Sequence, residues 1–172
     1  MAIIVSNSLK VDYRDPHRVV KVDLKNIIEE NSFAMTCILA TCNRDGNPNT
    51  APISSWIPVD YRNIIAGIWK KSKTFSNIMK NSNVMVEILW SQDISFGISG
   101  NAKIIKESLD CNKDTSAINI LVESVKVDTS PMFKVISGPI IECRSKKAEE
   151  FYRSVHNELL SLAKYLKQKN IL

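Results

Sequence analysis

The strongest constraint on the fold is a succession of short apolar and β-branched segments, each stopped by turn residues before it reaches helical length. Residues 33–42, FAMTCILATC, form the first. They run into Asn43-Arg44-Asp45-Gly46-Asn47-Pro48, where Asp-Gly signals a tight hairpin because it tolerates positive φ. Residues 49–57 then return as a second strand. Strict alternation places Ala51, Ile53, Ser55 and Ile57 on one face, with Pro52, Ser54 and Trp56 on the other. Pro52 lacks a ladder donor, so this strand is expected at a sheet edge or broken there. A second turn, residues 58–63, leads into a third strand over 64–69.

Beyond a short helix the pattern resumes. Residues 84–90 and 95–105 read as the fourth and fifth strands. Gly97 and Gly100 in the fifth predict a bulge, tight curvature or the close approach of another backbone. Ile118, Leu121, Val122 and Val125 fall at helical spacing, which predicts a helix from about Asp114 until Ser130-Pro131 breaks it. Residues 132–143 read as a sixth strand, interrupted at Gly138-Pro139. Over residues 146–167, Phe151, Val155, Leu159, Leu162 and Leu166 form the apolar stripe of an amphipathic helix suited to core or subunit packing. A further short helix is expected from Asp23, with Leu24, Ile27 and Ile28 inward, ending near Asn31. No repeat or linker divides residues 1–172, so a single domain is expected. The class is mainly β with added helices (α+β). Six mostly antiparallel strands with short turns bury their faces most economically in a strongly curved or closed barrel.

Composition narrows the chemistry. With 44% hydrophobic and 24% charged residues, the chain reads as a soluble globular protein. It has no apolar run of membrane-spanning length and no basic, signal-like start, so a cytoplasmic location is expected. Cys37, Cys42, Cys111 and Cys143 form no Cys-x-x-Cys pair, and His17 and His156 are the only histidines. A zinc site is therefore not expected, and the cysteines read as reduced, mostly buried thiols. No Ser-His-Asp or paired-carboxylate arrangement follows from the spacing, and His156 is expected exposed on the last helix. A net charge of +5 favours anionic partners without choosing among them.

One stretch carries more specific chemistry. The third strand ends in Lys70-Lys71-Ser72-Lys73-Thr74, followed by a helical segment with Phe75, Ile78 and Met79 on one side. Thr74 is a suitable N-cap, and a helix start beside lysines suits a phosphate. Gly67 removes a side chain where a flat group would meet the strand backbone. The competing reading is an ordinary solvated turn with an ordinary cap.

The order of features on either side favours the first reading. A strand ending Leu39-Ala40-Thr41 meets Asp45-Gly46-Asn47-Pro48 and then Ala51-Pro52-Ile53-Ser54. The basic, hydroxylated turn and Ser76-Asn77-Ile78 follow, then Asn81, a strand and Gly100-Asn101-Ala102. This order resembles the FMN-binding split barrel of the pyridoxamine 5'-phosphate oxidase-like superfamily. The resemblance implies a six-stranded antiparallel split β-barrel with peripheral helices and a C-terminal amphipathic helix. It implies FMN as cofactor, its phosphate at Lys73 and Thr74 with Lys71 and Ser72 close by. The flavin and ribityl chain would run along Pro52, Ile53, Ser54, Ser55, Trp56 and Ile57, and along Gly67 and Ile68. Ser54 and Ser55 would supply hydroxyls, and Trp56 would pack on the ring. It also implies a homodimer in which Ser95 nears the partner's flavin.

True oxidases of pyridoxamine phosphate carry an arginine and a lysine where this chain has Pro52 and Ile57. They also end in an arginine- and histidine-bearing segment, which is missing here. The expectation is thus an FMN-dependent oxidoreductase acting on another small molecule. The alternatives are a low-turnover flavin storage or sensing protein, or the same fold using deazaflavin or haem. A barrel binding single-stranded nucleic acid ranks last, because Trp56, Trp69 and Trp90 are not interleaved with lysines in the manner of a stacking platform.

Overall fold

The computed structural model describes residues 36–91 and 93–169. The strands are β1 (Cys37–Cys42), β2 (Pro48–Ile53), β3 (Trp56–Pro58), β4 (Asn63–Trp69), β5 (Asn83–Trp90), β6 (Ile94–Lys106) and β7 (Thr115–Val127). A short helix, α1 (Lys73–Ile78), follows β4, and a long one, α2 (Lys146–Gln168), follows β7. The helix expected from Asp23 and the start of the first predicted strand lie outside the described residues.

The strands form one sheet in the order β2-β1-β5-β6-β7-β4-β3, with every pairing antiparallel. Its outermost strands, β2 and β3, are separated in sequence only by Ser54-Ser55. From Ile53 to Trp56 the chain makes three Cα steps, at most about 11 Å, so the end of β2 and the start of β3 must lie close together. The sheet therefore rolls into a barrel split at this seam, and β2 comes into contact with β4. The hairpin after β1 forms as expected: Gly46 has φ 80, and the Asn43 side-chain oxygen accepts from Asp45 N and Asn47 N at 2.9 Å each.

The seam also corrects the alternation expected for residues 49–57. Ile53 and Trp56 both pack into the barrel interior, whereas Ile57 faces outward beneath α2. The break at Ser54-Ser55 shifts the phase by one residue. Pro52 lies on edge strand β2 and is exposed, as its missing donor requires.

The largest departure is β7, expected as a helix. Its buried residues Ile118, Ile120, Val122 and Val125 all face the interior. Opposite β6, Gly100 pairs with Val122 and Ser99 with Ser124, so Glu123 is an extra residue that bulges out. The extra residue lengthens the inward spacing from two to three between Val122 and Val125, and Ile118, Val122 and Val125 then imitate a helical face. Leu121, the fourth member of that apparent stripe, is 43% exposed. Gly100 permits the bulge, since a Cβ there would overlap the Leu121 carbonyl oxygen.

Residues 132–143 form no strand. They run outside the barrel instead, where Val135 exchanges hydrogen bonds with Asp93. The seven strands thus come from splitting the return strand and adding β7, while this segment is lost from the expected set.

The apolar residues form two clusters. One fills the barrel with Leu39, Trp56, Ile64, Ile68, Val86, Ile98 and Ile118 among others. The second lies between the outer face of the sheet and α2, joining Ile57, Ile65 and Ala117 to Val155, Leu159, Ala163 and Leu166. The expected stripe on α2 is thus largely present, although Phe151 is 46% exposed. Among the described residues no helix is long and apolar enough to cross a membrane.

Candidate functional site

The turn between β4 and α1 is built by tight local bonds. Lys70 N donates to Asp114 O at 2.8 Å, and Ser72 N donates to Trp69 O at 3.0 Å. The N-cap is Ser72 rather than Thr74: Ser72 is extended, and its hydroxyl accepts from Phe75 N at 3.1 Å. Thr74 is already helical and turned inward. It is 2% exposed, and its hydroxyl accepts from Asn49 Nδ2 at 3.2 Å. Next to it, Asn77 Nδ2 donates to Thr41 Oγ1 at 3.1 Å. Thr41, Asn49, Thr74 and Asn77 thus bind α1 to β1 and β2 through a largely buried polar network. Asn49 and Thr41 were not picked out from the sequence. The available signal was Thr41 itself, a polar residue in phase with the inward-facing Cys37 and Leu39.

The lysines of the turn are not equivalent. Lys70 Nζ donates to Ser108 Oγ at 2.6 Å. Lys71 Nζ lies 3.8 Å from Asp114 Oδ1, an exposed pair of little energetic weight. Lys73 is exposed and has no ion pair among the described residues. The first backbone N–H groups of a helix have no intrahelical acceptor. Because the cap takes Phe75 N, those of Lys73 and Thr74 remain uncapped. This end of the turn offers a cation and amide donors backed by a rigid network, which fits a phosphate.

The other expected contacts are dispersed. Ser54 and Ser55 are half-buried at the seam, where Ser54 O accepts from Tyr152 OH at 2.9 Å and Ser55 O accepts from Gly67 N at 2.9 Å. Ile53 packs against the interior, and Trp56 and Ile68 lie within it, only 1% and 2% exposed. The Trp56 ring is therefore not presented to a flat ligand outside the barrel. Ile57 lies under α2. The space beside Gly67 is filled, since a Cβ there would sit 3.3 Å from Val155 Cγ1 and 3.5 Å from Leu159 Cδ1. What approaches the strand at Gly67 is the C-terminal helix. Pro52 remains exposed on the edge.

Ser95 is 3% exposed, and its hydroxyl donates to Glu87 Oε1 at 3.4 Å. Along the ladder Trp69 pairs with Thr115 at one end, whereas Ser95 lies beyond the Asn101–Leu121–Asn63 row at the other. Within one chain, Ser95 and the basic turn stand at opposite ends of the barrel. Burial, and then Asp128 nearby, push the Glu87 carboxyl upward.

Helix α2 supports the turn from behind through Glu158. This carboxylate accepts from Asp110 N at 2.7 Å and Cys111 N at 2.9 Å, and pairs with Lys106 Nζ at 2.9 Å. Burial alone would raise its pKa, but the bonds from Cys111, Lys106 and Asp110 outweigh it and bring the value to about 2. The loop so clamped carries Ser108 and Asp114, the partners of Lys70 and Lys71. His156, expected exposed, is buried against the sheet, stacks on Tyr152 at 6.0 Å, and has its pKa lowered by burial. The four cysteines are free thiols. Cys37 is buried, which pushes it up to about 12, while Cys111 and Cys143 are exposed, contrary to the expectation of mostly buried thiols. Among the described residues no cluster of metal-ligating side chains occurs.

A pocket of about 500 Å³ lies at the far end of β4, lined by Asn63, Ser82, Asn101, Lys103 and Asn119 among others. Several of its polar groups are hydrogen-bonded, whereas Asn119 Oδ1 is buried without a hydrogen-bond partner. Asn63 donates to Asp60 and accepts from Asn119 Nδ2 at 2.9 Å, and Asn101 accepts from Ser82 Oγ at 3.0 Å.

Residues 24–137 match the family model described as pyridoxamine 5'-phosphate oxidase. Among solved structures, HupZ of Group A Streptococcus is 19% identical, with a TM-score of 0.52, covering 66% of this chain and 95% of that one. An FMN-binding protein from Syntrophomonas wolfei is 12% identical, with a TM-score of 0.51, covering 62% of this chain and 84% of that one. HutZ, the haem-storage protein of Vibrio cholerae, is 13% identical, with a TM-score of 0.48, covering 62% and 95%. Likeness at these identities shows the fold alone. The sequence has no significant match among curated proteins.

Proposed function

Because the chain belongs to the pyridoxamine 5'-phosphate oxidase family, we propose that it is an FMN-binding flavoprotein that transfers reducing equivalents to or from a small molecule other than pyridoxamine 5'-phosphate. The observation that carries this reading is the turn at residues 70–74. There an exposed Lys73 and the uncapped amides of α1 stand on a buried Thr41–Asn49–Thr74–Asn77 network. Lys73 and the Lys73 and Thr74 amides would hold the FMN phosphate, with Lys71 and Ser72 beside it. Ser54 and Ser55 at the seam are the polar groups placed to meet the ribityl chain. Trp56, Ile57, Gly67 and Ile68 contribute by shaping the strands behind the site, since their side-chain spaces are filled.

FMN supplies the redox chemistry when bound, and the protein supplies position and electrostatics. Pro52 and Ile57 offer no cation at the positions where the true oxidases carry one, which argues for a different substrate. The reading includes two copies per assembly, as the resemblance implies.

The test is titration of the flavin-free protein with FMN and with riboflavin, together with the absorption spectrum of the protein as purified. FMN is expected to bind at least about tenfold tighter, because a charge-assisted phosphate contact contributes about 1.5–3 kcal/mol. Equal affinities for the two flavins would refute a phosphate seat at this turn. A deazaflavin or haem spectrum in place of a flavin spectrum would refute the choice of cofactor.

A further inference from the structure

We infer that the pocket at the far end of β4 is a second binding site, suited to a small carboxylate that also carries an N–H donor. The inference goes beyond the proposed function and does not rest on it. Asn63 and Trp69 mark opposite ends of β4, so the pocket lies about 20 Å along the sheet from the basic turn. The two sites are separate.

Strand register brings the walls together. Asn101, Leu121 and Asn63 form one row across β6, β7 and β4, and Lys103 faces Asn119 in the next row. Ile64, Ile118 and Ile120 point into the barrel, so these alternate residues stand on the outer face. Ser82 closes one side, its hydroxyl donating to Asn101 Oδ1 at 3.0 Å. The space of about 500 Å³ is of the size that small-molecule sites have.

The hydrogen bonds of the wall have a direction. The Asp60 carboxylate only accepts, so Asn63 turns its Nδ2 toward it, at 3.1 and 3.2 Å. Asn63 Oδ1 is then left to receive Asn119 Nδ2 at 2.9 Å. Flipping Asn119 would set two carbonyl oxygens against each other, so the relay fixes both amides. Its last atom, Asn119 Oδ1, is a buried acceptor without a partner. Such groups are rare in folded proteins and gain from any donor brought within reach. The neighbours that flank Asn119 on this face, Lys103 and Leu121, are exposed. They can swing aside to admit an N–H group without backbone movement.

Lys103 supplies the charge. Its ammonium makes no ion pair among the described residues. Asp60 and Glu123 do not line the pocket, and each carboxylate is already bonded to an asparagine amide. A neutral ligand would leave Lys103 unused, and an anion without a donor would leave Asn119 Oδ1 unpaired. A single cation suits a carboxylate better than a phosphate, which carries close to two charges.

The probes are orotate, which joins ring N–H groups to a carboxylate, its doubly N-methylated form, uracil, and N-acetylglycine as an open-chain equivalent. Each is titrated into the isotope-labelled full chain while NMR follows the side-chain amide signals of Asn63 and Asn119. Orotate or N-acetylglycine is expected to shift these signals saturably. Methylated orotate and uracil, each lacking one contact, should bind about three- to tenfold more weakly than orotate. Lys103→Gln, at an exposed position, should reduce orotate to the level of uracil. Asn119→Ala should abolish the advantage of orotate over its methylated form, with circular dichroism and melting confirming the fold. The inference is overturned if neither orotate nor N-acetylglycine gives a saturable shift at about 10 mM, a concentration well above a weak site's Kd. It is equally overturned if the methylated and neutral analogues bind as well as orotate, or if Lys103→Gln changes nothing. Displacement of orotate by FMN would assign the probe to the flavin site and overturn it as well.

Discussion

Replacing Glu158 with glutamine should weaken the barrel and loosen the basic turn together. Glu158 is the single acceptor for Asp110 N and Cys111 N and also pairs with Lys106, whose side chain is 30% exposed against 16% for Glu158. Its pKa falls from the ordinary 4.5 to about 2, a difference worth at most about 3.4 kcal/mol at 1.36 kcal/mol per pH unit. Part of this is screened at the solvent-facing loop, so about 1–2 kcal/mol is the expected loss for Glu158→Gln at neutral pH. For a domain of this size that lowers the melting temperature by about 2–8 °C.

The sign with pH follows from a depressed carboxyl. The stabilisation is fully present above the unfolded value of 4.5 and disappears as pH falls toward the folded value of about 2. Thermal melts of both proteins across that range should therefore converge on acidification. A second readout is the exposed Cys111 thiol, which burial first and then Glu158 hold up to about 11. Without the carboxylate it should react faster with a thiol reagent near neutral pH. Equal melting temperatures at pH 7, or a gap that persists at low pH, would refute the clamp.

Three further outcomes are expected. Lys73→Glu should weaken FMN binding more than tenfold by titration, since reversal costs at least the 1.5–3 kcal/mol of a charged bond. Lys80→Glu, just past the other end of α1, should leave FMN binding nearly unchanged. Gly100→Ala should destabilise by more than about 2 kcal/mol, because its Cβ would meet backbone that cannot yield, whereas Gly67→Ala should cost about 1 kcal/mol against the movable Val155 tip; chemical denaturation ranks the two. Oxidation of pyridoxamine 5'-phosphate by the FMN-loaded protein should stay far below about one turnover per second in a peroxide-release assay.

Much of the barrel is decided by local chemistry and is legible in the chain. The Asp45-Gly46 hairpin, the edge position of Pro52, the bulge and close approach at Gly100, and the stripe on α2 each follow from what one or two residues permit in any context.

The rest depends on which segments meet. The 115–127 segment is a strand because β6 and β4 offer ladders on both its sides, and the bulge at Glu123 disguises its alternation as a helical repeat. Ser72 rather than Thr74 caps α1 because Asn49, distant in sequence, draws the Thr74 hydroxyl inward. Trp56 and Gly67 lose their expected access because sheet closure buries one and α2 covers the other. The anchoring of residues 131–141 at Asp93 and Leu89 likewise emerges only once the sheet has closed on itself. Propensity and capping act over a few residues, whereas burial and partner choice are set by chain returning from far away, and only the tertiary structure records that return.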